Sequence, residues 1–169
     1  MLRPMAASDL VNVFTGLSDP EVIKYYGVSY KTLEETQAQI KWYLQLQQEE
    51  SGLIFAICSP DNQVFYGSCG LYYLKPEHRK GEIGFWLLKQ FWNKGIMTES
   101  IPMVCRFGFD QLNLNRIESI VESENLACKK LMGQTGFRHE GTMEQAEIKN
   151  DKFIDLEMYA LLKDRVARH

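Results

Sequence analysis

The sequence predicts an α+β fold, and three observations carry that prediction. Residues 82–89 are rich in β-branched, aromatic and aliphatic side chains, as strands are. Asn93-Lys94-Gly95 breaks that run. From Ile96 to Leu114 the apolar residues then adopt helical spacing: Ile96, Ile101, Val104, Cys105, Phe107, Phe109 and Leu112. The same pattern reading along the chain gives the order β, helices, β, β, β, α, β, α, β, β. No repeat, linker or low-complexity tract interrupts it. A chain of 169 residues is expected to form one domain, 1–169, burying roughly 70% of its unfolded surface.

The elements follow in order. Leu2–Met5 reads as a short strand, with Pro4 marking an edge or an end. Ser8-Asp9 is an N-cap before Leu10, Val11, Phe14 and Leu17. Ser18-Asp19-Pro20 opens a second short helix toward Tyr25-Tyr26. Thr32–Gln48 is an amphipathic helix whose Thr32-Leu33-Glu34-Glu35 start is a capping box, and Ser51-Gly52 ends it. Leu53–Cys58 and Gln63–Leu74 are strands joined through the turn residues Ser59-Pro60-Asp61-Asn62. Pro76–Gly81 is a polar loop before the strand at 82–89. After the helix at about 96–112 come a strand, Arg116–Ser123, and a helix, Asn125–Thr135, stopped by Gly136. Phe137–Ala146 and Lys152–Leu162 are the last two strands.

Composition narrows the function. The net charge is −3 and the pI about 5.7, without the clustered Lys and Arg of a nucleic-acid footprint. A mildly acidic chain suits an amine-bearing substrate. Cys58, Cys69, Cys105 and Cys128 show no paired spacing, and the three histidines, one of them the terminal His169, do not cluster with them. No metal site is therefore expected, and the thiols are expected to be free. No signal peptide and no run of about 18 apolar residues is visible, so the expected setting is cytoplasmic, away from membranes.

The turn at Gly95 carries the chemistry. A glycine turn opening a helix aims free N–H groups and the positive dipole end at one point, an arrangement that binds phosphate. It lacks the spacing of a P-loop or of a G-x-G-x-x-G fingerprint. It resembles the acetyl-CoA loop of the GNAT superfamily of N-acetyltransferases, Gln/Arg-x-x-Gly-x-Gly/Ala, with Trp92 first, Gly95 fourth and Met97 sixth. Two residues depart from that pattern. Met97 replaces a small residue and is expected to narrow the approach to the pyrophosphate, and Asn93 replaces a common glycine. The resemblance extends through Asn125-Leu126-Ala127-Cys128, nine residues before Phe137, in the N-x-x-S…G-F arrangement. The segment Phe137–Leu162 is similar to that of the RimJ/RimL-type branch, which acetylates ribosomal-protein N-termini. Shared there are Gly136-Phe137, Glu140-Gly141, Gln145-Ala146-Glu147, Asn150, Asp155 and Met158-Tyr159-Ala160.

The resemblance implies a mixed, mostly antiparallel sheet flanked by helices, acetyl-CoA as cofactor with CoA as product, and an amine acceptor. A homodimer is an expectation of the same kind. The implied cofactor contacts are Phe85, Trp86 and Leu87 by their backbone, Trp92, Asn93, Lys94, Gly95, Ile96, Met97 and Thr98 around the phosphates, then Asn125 and Cys128. Thr98 reads equally as an ordinary first-turn residue, and Asn125 is also a good N-cap.

Acetyl transfer requires a neutral amine, a polarised thioester and a proton for the leaving thiolate. At pH 7, neutralising an α-amine costs about 1.4 kcal/mol and a free lysine amine about 4.6 kcal/mol. A weak base therefore suffices for a protein N-terminus. Glu147 occupies the place that the resemblance gives to that base; otherwise it is a surface glutamate in a polar turn, 147–151. Glu82 is the runner-up, its plainer reading being a solvated strand start. Cys128 stands where a serine protonates the leaving sulfur, and reads equally as an inert helix residue. Met132 replaces a tyrosine that many relatives carry late in that helix, so solvent is another proton source. Tyr159 and Asp155 read as groove or core residues, and Tyr25, Tyr26, Tyr30, Trp42 and Tyr43 as acceptor pocket or core.

Four functions remain open on the sequence: transfer to a protein N-terminus, transfer to a small amine such as a polyamine or amino sugar, a non-catalytic acyl-CoA-binding module, and a β–α domain without CoA.

Overall fold

The computed structural model describes residues 1–166, so His169 lies outside it. Seven strands form one sheet in the order β1-β2-β3-β4-β5-β7-β6. They are β1 (Leu2–Pro4), β2 (Leu53–Cys58), β3 (Phe65–Lys75), β4 (Lys80–Leu87), β5 (Arg116–Glu122), β6 (Arg138–Lys149) and β7 (Lys152–Leu162). Every neighbouring pair is antiparallel except β4–β5. The mixed, mostly antiparallel sheet is thus as expected.

Side-chain alternation divides the strands between two cores. Ile57, Cys69, Leu71, Ile83, Leu87, Ile117 and Val121 pack with α3 (Ile96–Asp110) and α4 (Leu126–Gln134). Ile54, Ala56, Cys58, Phe65 and Trp86 pack on the other face with α1 (Leu10–Leu17) and α2 (Leu33–Gln48). A last turn, α5 (Lys163–Val166), follows β7. Close approach of α1 to the sheet depends on Gly16: a Cβ there would stand 2.1 Å from Cζ3 of Trp86.

The structure corrects several boundaries. The helix predicted toward Tyr25-Tyr26 is a single 3-10 turn, Ile23–Tyr25. β4 begins at Lys80 and ends at Leu87, where a 3-10 turn, Lys89–Phe91, takes over. β6 runs on to Lys149, so Glu147 belongs to a strand and not to the turn, which is only Asn150-Asp151 with φ of 51° and 59°. The α2 start is a variant of the capping box. Thr32 accepts from the Glu35 N–H, but Glu35 accepts from the N–H of Lys31, one residue early. All four cysteines are free, and only Cys128 is not fully buried. Among the described residues no helix is long and apolar enough to cross a membrane.

Candidate active site

The site is built around a fault in the sheet. β4 and β5 pair at Lys80↔Arg116, Gly81↔Ile117 and Glu82↔Glu118, and then part, although β4 continues to Leu87 and β5 to Glu122. β3 stays paired with β4 as far as Leu87. The N–H of Leu88 donates to the carbonyl of Tyr66 on β3 at 2.9 Å. Alternation along the strand therefore turns the backbone groups of Phe85 and Leu87 away from β3, into the gap. The Leu87 carbonyl has a partner on that side, accepting from Nε1 of Trp92 at 2.9 Å.

Phe85, Trp86 and Leu87, predicted together, play different parts. The side chains of Phe85 and Leu87 belong to the α3 core while their backbone edges the gap. Trp86 turns its backbone toward β3 and buries its indole under α1, where Nε1 reaches the Tyr43 hydroxyl at 3.4 Å. That geometry removes Trp86 from the groups facing the gap.

At the far end of β4 the chain turns through Asn93 (φ 58°) and Gly95 (φ 77°) into α3. Asparagine tolerates the left-handed region, which explains how it stands in for a glycine. The first helical bond runs from the N–H of Glu99 to the carbonyl of Gly95 at 3.1 Å. The N–H groups of Ile96, Met97 and Thr98 precede it, and no side chain caps them. Nothing lies within 4 Å of where a Gly95 Cβ would be, so the turn is open on that side. An open turn with three free donors at a positive helix end fits a diphosphate. Met97 does not obstruct it as the sequence suggested. Met97 is 7% exposed and packs in the α3 core, with its backbone at the turn. Thr98 and Asn93 are exposed, and Lys94 is exposed with its Nζ 5.3 Å over the Phe91 ring.

Asn125 caps α4, its Oδ1 accepting from the Cys128 N–H at 3.1 Å. Burial pushes the Cys128 thiol up to about 12. Such a thiol keeps its proton and is a poor source of one. Met132 is fully buried in the core. Beneath α4 lies a group that pattern reading passed over. Glu157 accepts from Lys129 Nζ at 2.5 Å and from the Tyr159 hydroxyl at 2.8 Å, with His139 Nε2 at 3.6 Å. Burial pushes the Glu157 carboxyl up, but Lys129 and Tyr159 outweigh it and hold it below the usual range. Burial, with the bond to Glu157, pushes the Tyr159 phenol up to about 12. Tyr159 is thus core, and Asp155 accepts from the Gln145 N–H at 2.7 Å, holding a bulge in β6. A charged residue two places before Tyr159 in an apolar strand was the available signal for Glu157.

The opposite face of the gap is acidic. Register places Glu82, Glu118, Glu122 and Glu147 on that face. Glu118 is held by Arg116 at 2.6 Å and Lys80 at 3.0 Å. Burial pushes it up, and those two cations bring it below the usual range. Glu82 has no side-chain hydrogen bond among the described residues; burial first, and Glu118 second, push its carboxyl up. Glu147 is exposed and also without such a bond.

Residues 19–26 cross the mouth of the gap. Glu21 meets Lys89, beyond β4, at 2.5 Å. Tyr25 donates to the carbonyl of Glu124, beyond β5, at 3.4 Å, and Lys149 donates to the Lys24 carbonyl at 2.5 Å. Of Tyr25, Tyr26, Tyr30, Trp42 and Tyr43, only Tyr25 lies outside the α1–α2 core.

Residues 1–138 match the Acetyltransferase (GNAT) domain family. The uncharacterized N-acetyltransferase YoaA of Bacillus subtilis (strain 168) is 31% identical over 98% of this chain and 94% of its own. A spermidine N-acetyltransferase from Vibrio cholerae, solved with CoA and spermine, superposes with a TM-score of 0.88 at 20% identity, over 99% of this chain and 97% of the other. RimL, a ribosomal L7/L12 α-N-protein acetyltransferase solved with CoA, gives 0.86 at 21% identity, over 97% and 94%.

Proposed function

The chain belongs to the GNAT acetyltransferase domain family and is an acetyl-CoA-dependent N-acetyltransferase; from that premise we propose that it acetylates the α-amine of a protein N-terminus by direct attack in a ternary complex. The unpaired edge of β4 beyond Glu82, leading to the free N-terminus of α3, supports the cofactor site, and an α-amine is favoured because an exposed carboxylate such as Glu147 is a weak base that suffices for a low-pKa amine. Acetyl-CoA, when bound, supplies the activated acyl group.

The chain's own residues do the rest. The N–H groups of Ile96, Met97 and Thr98 hold the diphosphate, and the Leu87–Trp92 bond fixes the turn that presents them. Phe85 and Leu87 extend the sheet edge to the pantetheine arm, and an N–H of that edge polarises the carbonyl under attack. Residues 19–26 cover the mouth and limit water.

Glu147 receives the amine proton, directly or through water, on the face it shares with Lys149. Glu82 is the second base reading, favoured by its upward shift toward the working pH. The thiol of Cys128 retains its proton, so solvent protonates the leaving sulfur.

A small aliphatic amine is the second acceptor reading, favoured by the carboxylates of Glu82, Glu122 and Glu147 on one face. Thiol release from acetyl-CoA with N-terminal peptides and small amines tests both readings. Release with one class, lost in Glu147→Gln while CoA still binds, supports the first base. Loss in Glu82→Gln alone transfers the role, and no release with any amine overturns the acceptor reading.

A further inference from the structure

Lys149 sits in a cradle made for an ammonium ion. Its Nζ donates to Oε1 of Glu122 and to the carbonyl of Lys24, both at 2.5 Å, and lies 5.5 Å from the centre of the Tyr25 ring. A carboxylate, a carbonyl and an aromatic face together form a recognition set for an aliphatic cation. Lys24 Nζ shares the ring at 5.0 Å, so the carboxylate and carbonyl are the principal partners.

The cradle's position makes it more than a structural pin. Glu122 ends β5 at the wide end of the gap, and Lys24-Tyr25 is the part of the crossing segment that spans there. The cradle therefore flanks the gap where β5 has parted from β4. The Glu122 side chain is 17% exposed and Lys149 31%, so the carboxylate is the enclosed partner and the lysine the accessible one. Lys149 hangs from the end of β6, one residue before the turn, on a long side chain that can leave without breaking the sheet.

Resting on the transferase reading above, we propose that Glu122, the Lys24 carbonyl and Tyr25 form a subsite for a second ammonium group of the acceptor, and that Lys149 occupies it until the acceptor displaces it. The subsite does not hold the reacting amine. A carboxylate at hydrogen-bond distance stabilises the charged form, and attack needs the neutral one. The acceptor it selects carries an aliphatic cation besides the amine to be acetylated, in a diamine or in a lysine side chain near a peptide N-terminus.

The test uses matched pairs: 1,4-diaminobutane against 1-aminobutane, and a Ser-Lys peptide against the same peptide with norleucine. Calorimetry on the CoA-loaded protein reads binding whether or not thiol is released, so failure of acetyl transfer and failure of the subsite remain distinct. In Lys149→Met, the dicationic member of one pair should bind about tenfold tighter than in wild type, and the monocation should not change. Adding Glu122→Gln should remove that gain, and the pair that responds names the source of the cation. If Lys149→Met fails to fold, Lys149→Gln replaces it. Equal binding of both members of both pairs in the lysine variant, or a gain that survives Glu122→Gln, overturns the proposal.

Discussion

The indole N–H of Trp92 donates to the carbonyl oxygen of Leu87 at 2.9 Å, tying the glycine turn to the last residue of β4. One bond thus joins the two backbone features of the cofactor site. Trp92→Phe keeps an aromatic ring but removes the donor, a loss of about 0.5–1.5 kcal/mol. Weaker CoA binding is expected, with the effect on KM exceeding that on kcat. Calorimetric titration with CoA checks it, and unchanged affinity would show that the turn holds its shape without the bond.

Gly16 is a packing requirement. A Cβ there would meet Trp86 at 2.1 Å, and Trp86 is held on its other sides by Phe65 and Tyr43. Gly16→Ala should destabilise the fold by about 1–3 kcal/mol. The measurement is thermal unfolding, with tryptophan emission reporting displacement of the ring.

Glu157 should make stability depend on acid. Its folded pKa lies below the unfolded value, so its contribution is present above the unfolded pKa and is lost as pH falls through the folded one. Wild type should exceed Glu157→Gln in Tm at pH 7, with the gap closing below about pH 4. A gap independent of pH would mean that shape, not charge, matters there.

Glu82 should act in the opposite sense. Its folded pKa is raised, so the fold favours the protonated carboxyl and loses stability as pH rises through that value. Glu82→Gln should therefore raise Tm at neutral pH and have little effect below about pH 4. Tm measured across that range decides it.

Cys128 should be unreactive. At about 12 its thiolate population at neutral pH is roughly a thousandfold or more below that of an ordinary thiol. Alkylation of native protein with iodoacetamide, followed by mass spectrometry, should leave it unmodified long after free cysteine has reacted. Rapid labelling would restore it as a candidate acid.

Much of this protein was fixed by local patterns. The strand, the glycine turn and the helix at 80–110 follow from side-chain period and backbone freedom, which act over a few residues. The caps Thr32 and Asn125 are local for the same reason. Only the tertiary structure decided which of those residues meet. Phe85 and Trp86 are neighbours in sequence, but a strand turns their backbones to opposite edges, and only strand pairing shows which edge is open. Met97 occupied a suspect motif position, and its burial cleared it. Glu122 and Lys149 are 27 residues apart and meet because β7 lies between their strands and puts both side chains on one face. A one-residue shift in register would have turned either away, and no spacing along the chain records that register.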